Sequence, residues 1–337
     1  MSDFSAKHII EALRSGVPSR AVGAYFSEAR PDMMQRVRER LPALQEDGKY
    51  DGFVFMGRYG EGKTHLLNSI FDMATTANMV VSLVPLGKET PIDKLHQLYP
   101  KLIQNTWLPN ASQPGISRLF EDMTAGSSLA GEMAAYAAKE LVTDKLYYLL
   151  RAYLNTQSED ERFTFLSDFG GNFADLNLIK KSYRRIYGTP VKFNVSFSKT
   201  KHIMDYFCFM SHLFAMKGYA GWVILFDEAE LIGRLGKKAR LKSYVEIAHF
   251  LKPEPRLEKV LSVFAFSSSY LDDVIDKKKD KDLVQQVFAE DKESRDAADA
   301  CIRQLEKCPE LMPLSRSEIE QILVRLQEFH GRAYGWK

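Results

Sequence analysis

Residues 57 to 64 read GRYGEGKT, which places two glycines, a lysine and a threonine at the spacing GxxxxGK[ST]. This spacing suits a phosphate-holding loop, because glycines let successive backbone N–H groups turn toward an anion. Lys63 would reach the β- and γ-phosphates of a nucleotide, and the Thr64 hydroxyl would coordinate Mg²⁺. The residues predicted to contact ATP are Gly57, Arg58, Tyr59, Gly60, Glu61, Gly62, Lys63, Thr64 and His65.

The context of this loop favours nucleotide binding over the alternative, a tight glycine-rich turn with an exposed lysine. An apolar stretch, GFVFM, precedes the loop, and a helical pattern, HLLNSIF, follows it. A loop between a strand and a helix gains the partial positive charge of the helix N-terminus, which attracts phosphate. We therefore predict that ATP binds here.

A second group of chemically capable residues ends the apolar stretch WVILFDEAE. An acid at the carboxyl end of a strand lies at the edge where α/β sheets bind ligands. Asp227 is predicted to hold Mg²⁺ together with Thr64, and Glu228 to act as the base that polarises the attacking water. The alternative is an ordinary pair of acids that opens the next helix.

A third polar group follows the stretch VLSVFAFSSS. A polar side chain at the end of a strand beside Asp227 can contact the γ-phosphate or the attacking water. Ser267 is predicted to have this sensor role, with Ser268 as the second choice. The alternative, that these serines cap the next helix, is equally compatible with the sequence.

The sequence does not identify an arginine that would neutralise charge during hydrolysis. The segment GRLGKKARLKS offers a basic group that could contact phosphate, complete a neighbouring subunit's site, or be a solvated helix face. That group is Arg234, Lys237, Lys238, Arg240 and Lys242. Arg184 and Arg185 are rival candidates, and Arg316 is the one candidate for a second sensor.

Composition limits the other functions. The 46 basic and 44 acidic residues leave a net charge of +2, so any contact with nucleic acid must come from a local patch. Three cysteines without metal-ligand spacing fit a reducing cytoplasm, and the N-terminus has no signal-peptide pattern. No apolar run approaches the roughly 20 residues of a membrane helix. The aromatic residues predicted to be core rather than base-stacking platforms are Tyr147, Tyr148, Tyr153, Phe207, Phe209 and Phe214.

Four buried-strand patterns, GFVFMG, NMVVSLVPL, WVILFDEAE and KVLSVFAFSSS, alternate with helical patterns. This order predicts an α/β fold with a parallel sheet flanked by helices, which together with the glycine loop is that of a P-loop NTPase. We expect an N-terminal helical segment at 1–45, an ATPase core at 46–275 and a C-terminal helical region at 276–337. The stretch from about 91 to 215 is predicted to be a helical insertion or lid.

Beyond these motifs, four tracts occur in a familiar order: IIEALRSGVPSRA, GRYGEGKTHLL, ILFDEAELI and PELMPLSRSEIEQILVRLQEFHGRAYGW. Together they resemble the AAA+-like ATP-binding proteins of bacterial BREX phage-defence systems, of the BrxD type, over most of the chain. The resemblance implies the AAA+ or ASCE type within the P-loop NTPase class, and an ATPase that works with other defence proteins against foreign DNA. Related chains usually continue into a further helical or winged-helix-like region, so it also implies that this chain is a shorter or truncated form.

The resulting hypothesis is a Mg²⁺-dependent ATPase that remodels or loads DNA or a partner protein, as a cytoplasmic homo-oligomer without a membrane partner. The first alternative is a slow ATP-dependent switch that assembles with partners or DNA without acting as a motor. The second, a small-molecule kinase, fits less well, because Glu228 directly after Asp227 suits water activation better than phosphoryl transfer.

Overall fold

The structure, a computed structural model, describes residues 7, 9–11, 14, 30–47, 51–257 and 259–336. Its centre is a five-stranded sheet in the order β1-β5-β4-β2-β3. The strands are β1 (Phe53–Gly57), β2 (Val80–Pro85), β3 (Thr106–Trp107), β4 (Trp222–Asp227) and β5 (Val260–Ser267). The chain is thus an α/β protein with a mostly parallel sheet, which is compatible with a P-loop NTPase.

Four of these strands pair in parallel, and all four coincide with the predicted apolar stretches. Buried parallel strands carry continuous apolar runs, which made them visible in the sequence. The fifth strand, β3, was not predicted and runs antiparallel to β2 at the sheet edge. Two residues are too few to show an apolar or alternating pattern, so β3 carries no sequence signal.

A later segment extends the opposite edge of the sheet. The Met56 N–H donates to the Pro309 carbonyl at 2.9 Å, and the Leu311 N–H donates to the Met56 carbonyl at 2.7 Å. These bonds satisfy backbone groups that an open strand edge would leave unpaired. They also place the chain around residue 311 beside the end of β1, where the glycine loop begins.

Helices cover both faces of the sheet. Before β2 lie α1 (Pro31–Asp47) and α2 (Lys63–Thr76). Between β2 and β4 lie α3 (Leu95–Gln104), α4 (Arg118–Glu121), α5 (Ser128–Lys139), α6 (Lys145–Asn155), α7 (Glu159–Phe169), α8 (Leu176–Tyr187) and α9 (Ile203–Met216). Later come α10 (Lys237–Leu251), α11 (Asp280–Val287), α12 (Lys292–Lys307) and α13 (Arg316–Tyr334), with a 3₁₀ helix (Ala229–Arg234) after β4 and a π-helical turn (Leu271–Asp276) after β5.

Two apolar cores lie on the two faces of the sheet. One is formed with α1 and α2 and includes Phe55, Leu67 and Val223. The other continues from the opposite face, at Phe226, into the helices between β2 and β4 and into α12. The predicted helical insertion therefore shares its core with the sheet. This shared packing gives the insertion a fixed position relative to the strands.

A buried ion pair joins three of the helices between β2 and β4. Lys145 Nζ on α6 lies 2.7 Å from Asp168 Oδ2 on α7, and both side chains are almost fully buried. The Tyr206 hydroxyl on α9 donates to Asp168 Oδ1 at 2.5 Å. Burial lowers the pKa of Lys145, and the Asp168 charge opposes that shift. Because a buried charge without its partner is costly, this pair fixes how α6, α7 and α9 sit together.

At the N-terminus, the described residues 7, 9–11 and 14 are helical, as the sequence predicts there. Ile9 and Ile10 pack against Phe329 and Ala333 of α13. The other residues before Arg30 in the predicted N-terminal segment lie outside the described part of the chain.

Candidate functional site

The glycine loop joins β1 to α2 with two residues in the left-handed backbone region. Gly60 has φ of +85° and Gly62, which precedes α2, has φ of +86°. A side chain at either position would be strained, because Cβ clashes with the backbone in this conformation. The sequence therefore places glycine where the loop turns toward the helix N-terminus. Backbone N–H groups at such a terminus are available to an anion.

Charged side chains fold back onto this loop. Lys63 Nζ donates to the Gly57 carbonyl at 2.9 Å and to the Arg58 carbonyl at 3.2 Å. The Glu61 carboxylate accepts from the Arg58 N–H at 2.6 Å. Tyr59, at the tip of the loop, is fully exposed. The lysine is thus held against the backbone of the glycine loop by two carbonyl groups.

The fold brings Thr64 and Asp227 into direct contact although 163 positions separate them. The Thr64 hydroxyl donates to Asp227 Oδ2 at 2.6 Å, and Asp227 is 8% exposed. The other carboxylate oxygen, Oδ1, accepts from the Glu228 N–H at 2.8 Å. Thr64 follows β1 and Asp227 ends β4, and strand β5 lies between these two strands. The contact therefore reaches across the end of β5 at the carboxyl edge of the sheet.

Two glutamates follow Asp227 in different environments. Glu228 is exposed and has φ of +51°, an uncommon conformation for a residue other than glycine. Glu230 is half-buried, and its Oε2 accepts from the Ser267 N–H at 3.2 Å. Burial raises the pKa of Glu230, while the nearby Lys63 charge opposes the shift. The sequence analysis did not single out Glu230; the second glutamate in DEAE was the available signal.

The end of β5 meets the glycine loop. Ser267 is in register with Gly57, and the Ser268 N–H donates to the Gly57 carbonyl at 3.2 Å. That carbonyl therefore accepts from both Lys63 and Ser268. The Ser268 hydroxyl is buried and has no hydrogen-bond partner in the described part of the chain. No serine side chain caps the helical turn that follows, so the helix-capping alternative does not describe this geometry.

Arg30 contacts the loop from the segment before α1. Its guanidinium donates to the Glu61 carbonyl at 2.7 Å and also to the Met312 carbonyl. It therefore ties the glycine loop to the chain that leads into α13. The sequence gave no signal for this residue, because one arginine before a helix has no distinguishing pattern.

The structure separates the candidate arginines. Arg240 is buried at 4% exposure, and its Nε and second guanidinium nitrogen bind Asp280 at 2.8 and 2.7 Å. The prediction that Arg240 could reach a phosphate is therefore wrong, because its charge is already neutralised inside the protein. The other members of that basic group, Arg234, Lys237, Lys238 and Lys242, are exposed.

The remaining arginine candidates are on the surface. Arg184 is exposed, and Arg185 pairs with Glu161 at 2.5 Å. Arg316 is exposed and pairs with Glu320 at 3.0 Å on α13. None of these contacts selects one of them for the nucleotide site.

The aromatic residues divide into two groups. Four of those predicted to be core are buried: Tyr153, Phe207, Phe209 and Phe214. Tyr147 and Tyr148 are half-buried, with ring centroids 5.1 Å apart.

His65 lies in the first turn of α2. Among the described helices, none is both long and apolar enough to cross a membrane.

Comparison with known proteins identifies a family for the chain. The family model described as the BREX system ATP-binding protein BrxC/D matches residues 1–125 and 179–337. No curated protein matches the chain. The matched ranges contain the glycine loop, Asp227, Glu228 and the end of β5, whereas residues 126–178, which carry α5 to α7, lie outside them. The chain therefore belongs to the BREX system ATP-binding protein BrxC/D family.

Proposed function

We propose that the chain is an AAA+-like P-loop ATPase that binds ATP with Mg²⁺ on the loop of residues 57–65 and hydrolyses it to ADP and phosphate. The observation that carries the proposal is the 2.6 Å contact between the Thr64 hydroxyl and Asp227. A threonine after the loop lysine and an acid at the carboxyl end of another strand of the same sheet are the pair that shares Mg²⁺ in P-loop enzymes. Membership of an ATP-binding family supports ATP as the ligand.

The residues present fit a magnesium ion. The Thr64 hydroxyl and the Asp227 carboxylate are hard oxygen ligands, which Mg²⁺ prefers, and they already lie side by side. Mg²⁺ binds few protein groups and keeps its other positions for water and phosphate oxygens. A Mg²⁺ ion held by Thr64 and Asp227 would neutralise part of the negative charge of the ATP phosphates.

The chain's own groups then divide the remaining work. Lys63 would leave the Gly57 and Arg58 carbonyls and bind the β- and γ-phosphates, while the loop N–H groups and the start of α2 hold the phosphate oxygens. Glu228, which is exposed, would orient the attacking water and accept its proton. Ser267, or the unpartnered hydroxyl of Ser268, would contact the γ-phosphate.

Glu230 has a supporting place in this scheme. Its carboxylate accepts a hydrogen bond from the Ser267 N–H, and the charge of Lys63 opposes the rise in its pKa that burial causes. We propose that Glu230 positions the end of β5, and that Glu228 provides the base. A neighbouring subunit would supply an arginine in a cytoplasmic homo-oligomer, for which the exposed Arg234 is a candidate.

In a defence system, hydrolysis would drive remodelling or loading of DNA or of a partner protein.

One observation favours the alternative of a slow switch. Glu228 makes no side-chain hydrogen bond to a described residue, and general bases are held by such bonds when pre-organised. Under that alternative, ATP binding assembles the protein with its partners and turnover stays slow.

Steady-state phosphate release and equilibrium ATP binding together test the proposal. Wild type should release phosphate, Glu228→Gln should bind ATP and release at least about a hundredfold less, and Lys63→Ala should lose ATP binding. Glu230→Gln should reduce turnover less than Glu228→Gln does. Wild-type turnover no higher than that of Glu228→Gln, with and without DNA, would reject the ATPase and leave the switch.

A further inference from the structure

One stretch of the helical insertion departs sharply from the balanced charge of the chain. Residues 176–204 contain seven basic residues and no aspartate or glutamate, in a protein whose net charge is +2. The seven are Lys180, Lys181, Arg184, Arg185, Lys192, Lys199 and Lys201. They lie on α8 and on the loop that leads to α9. We refer to this stretch, residues 176–204, as the basic segment.

Most of this charge faces solvent and is not neutralised. Helix α8 buries Ile179 and Ser182, while Lys181 and Arg184 are exposed. Lys192 and Lys199, in the following loop, are exposed as well. None of these four cations forms an ion pair with any described residue. The exception in the segment is Arg185, which is bound to Glu161.

Aromatic rings within the basic segment pack against a ring of α6. Tyr148 packs edge-on against Tyr183 and Phe193, with ring centroids 4.9 and 5.6 Å apart. Lys180 lies over the Phe193 ring at 5.2 Å. Single-stranded nucleic acid is held by bases that stack on free aromatic faces. These rings are half-buried and already pack on one another, so the segment offers charge for a phosphate backbone and no stacking platform.

Two exposed cations from other elements, Lys94 and Lys242, lie near the basic segment. Burial and then the charges of Lys199, Lys242 and Lys94 lower the pKa of His96, and these three lysines are exposed and belong to three different parts of the chain. The acids nearby are Asp93, which is buried, and Glu246, which is 3.9 Å from Lys242. Lys242 lies on α10, the helix that follows the 3₁₀ helix after Asp227.

We propose that the basic segment, together with Lys94 and Lys242, binds the phosphate backbone of duplex DNA without reading its base sequence. The charge complements a polyanion, and the 12 residues of α8 extend about 18 Å at 1.5 Å per residue. Duplex DNA presents about ten phosphate charges over that length, at one per 1.7 Å. The proposal deepens the proposed function, since it names DNA as the partner on which ATP hydrolysis acts.

A matched pair of variants of the 337-residue chain tests this surface. Lys181→Gln/Arg184→Gln removes two exposed cations from α8, and Arg303→Gln/Lys307→Gln removes two exposed cations from α12. Binding is measured by fluorescence anisotropy of a labelled random-sequence duplex between about 50 and about 200 mM salt. The α8 variant should bind roughly ten- to a hundredfold more weakly, with a salt slope shallower by about two, and the α12 variant should match wild type.

Three results would overturn the surface: no binding of duplex by wild type, equal binding by both variants, or tighter binding of the matching single strand. ATP binding is measured on the same samples and should be unchanged in both variants. Failure of wild type to bind ATP would reject the proposed function. If duplex DNA still bound more weakly to the α8 variant than to wild type in that case, the DNA-binding surface would stand. The two failures are therefore distinguishable.

Discussion

The buried pair Arg240 and Asp280 gives a direct test of the packing between α10 and α11. Asp280 is fully buried and accepts two hydrogen bonds from Arg240 and one, at 2.7 Å, from the Tyr244 hydroxyl. The Tyr244 hydroxyl also lies 2.8 Å from that of Tyr270. Burial raises the pKa of Tyr244, which keeps this hydroxyl neutral. The network joins α10, α11 and the turn after β5.

The perturbation is Asp280→Asn, which preserves shape and removes the negative charge. Arg240 then remains buried without a counter-ion, and breaking a buried pair from one side costs about 3 to 5 kcal/mol. The amide oxygen still accepts one bond, so we expect a loss of about 3 kcal/mol in the free energy of unfolding. Removing the cation as well, in Arg240→Met/Asp280→Asn, should recover part of that loss, because no buried charge remains.

Urea denaturation of wild type, of Asp280→Asn, of Arg240→Met and of the double variant measures these free energies of unfolding, and the double-mutant cycle isolates the interaction between the two side chains. We expect an interaction energy above about 1 kcal/mol. A loss below about 1 kcal/mol for Asp280→Asn would contradict the reasoning, since it would mean that Arg240 is solvated. The reasoning would also be contradicted if the loss in unfolding free energy of the double variant equalled the sum of the losses of the two single variants.

Two further predictions concern the magnesium site and the response to acid. Thr64→Val keeps the side-chain shape but removes the hydroxyl, so ATP affinity should fall about tenfold with Mg²⁺ and stay unchanged in chelator; equal losses in both titrations would indicate a structural role for the bond to Asp227. Arg185, helped by neighbouring hydroxyls, lowers the pKa of Glu161 from 4.5 to about 2. The charged form is therefore favoured in the folded state, and its stabilisation should be lost as pH falls from about 4.5 to about 2. Glu161→Gln should flatten unfolding free energy against pH over this window, and an unchanged profile would show that the pair adds nothing.

The parts of the fold and site that depend on neighbouring residues in the chain could be predicted. Buried parallel strands are continuous apolar runs, and the glycine loop and the acid pair at 227–228 are local patterns. They were found at the correct strand ends. Their meeting at Thr64 and Asp227 follows from the rule that strand carboxyl ends share one edge.

What the sequence did not reveal depends on contacts between distant residues. Arg240 looked like a free cation because its partner, Asp280, is 40 positions away. Glu230 contacts Ser267 across 37 positions, and Arg30 contacts Glu61 across 31. A side chain's partner is set by helix packing, which no local pattern encodes. These residues could be assigned only from the fold.

The two hydrogen bonds of Arg30 have a mechanical consequence. One guanidinium holds the Glu61 carbonyl in the glycine loop and the Met312 carbonyl just before α13. Any rotation that carries Met312 away from Arg30 must break one of these bonds or drag the loop with it. A movement of the segment before α13 would therefore be transmitted to the glycine loop through the Arg30 side chain.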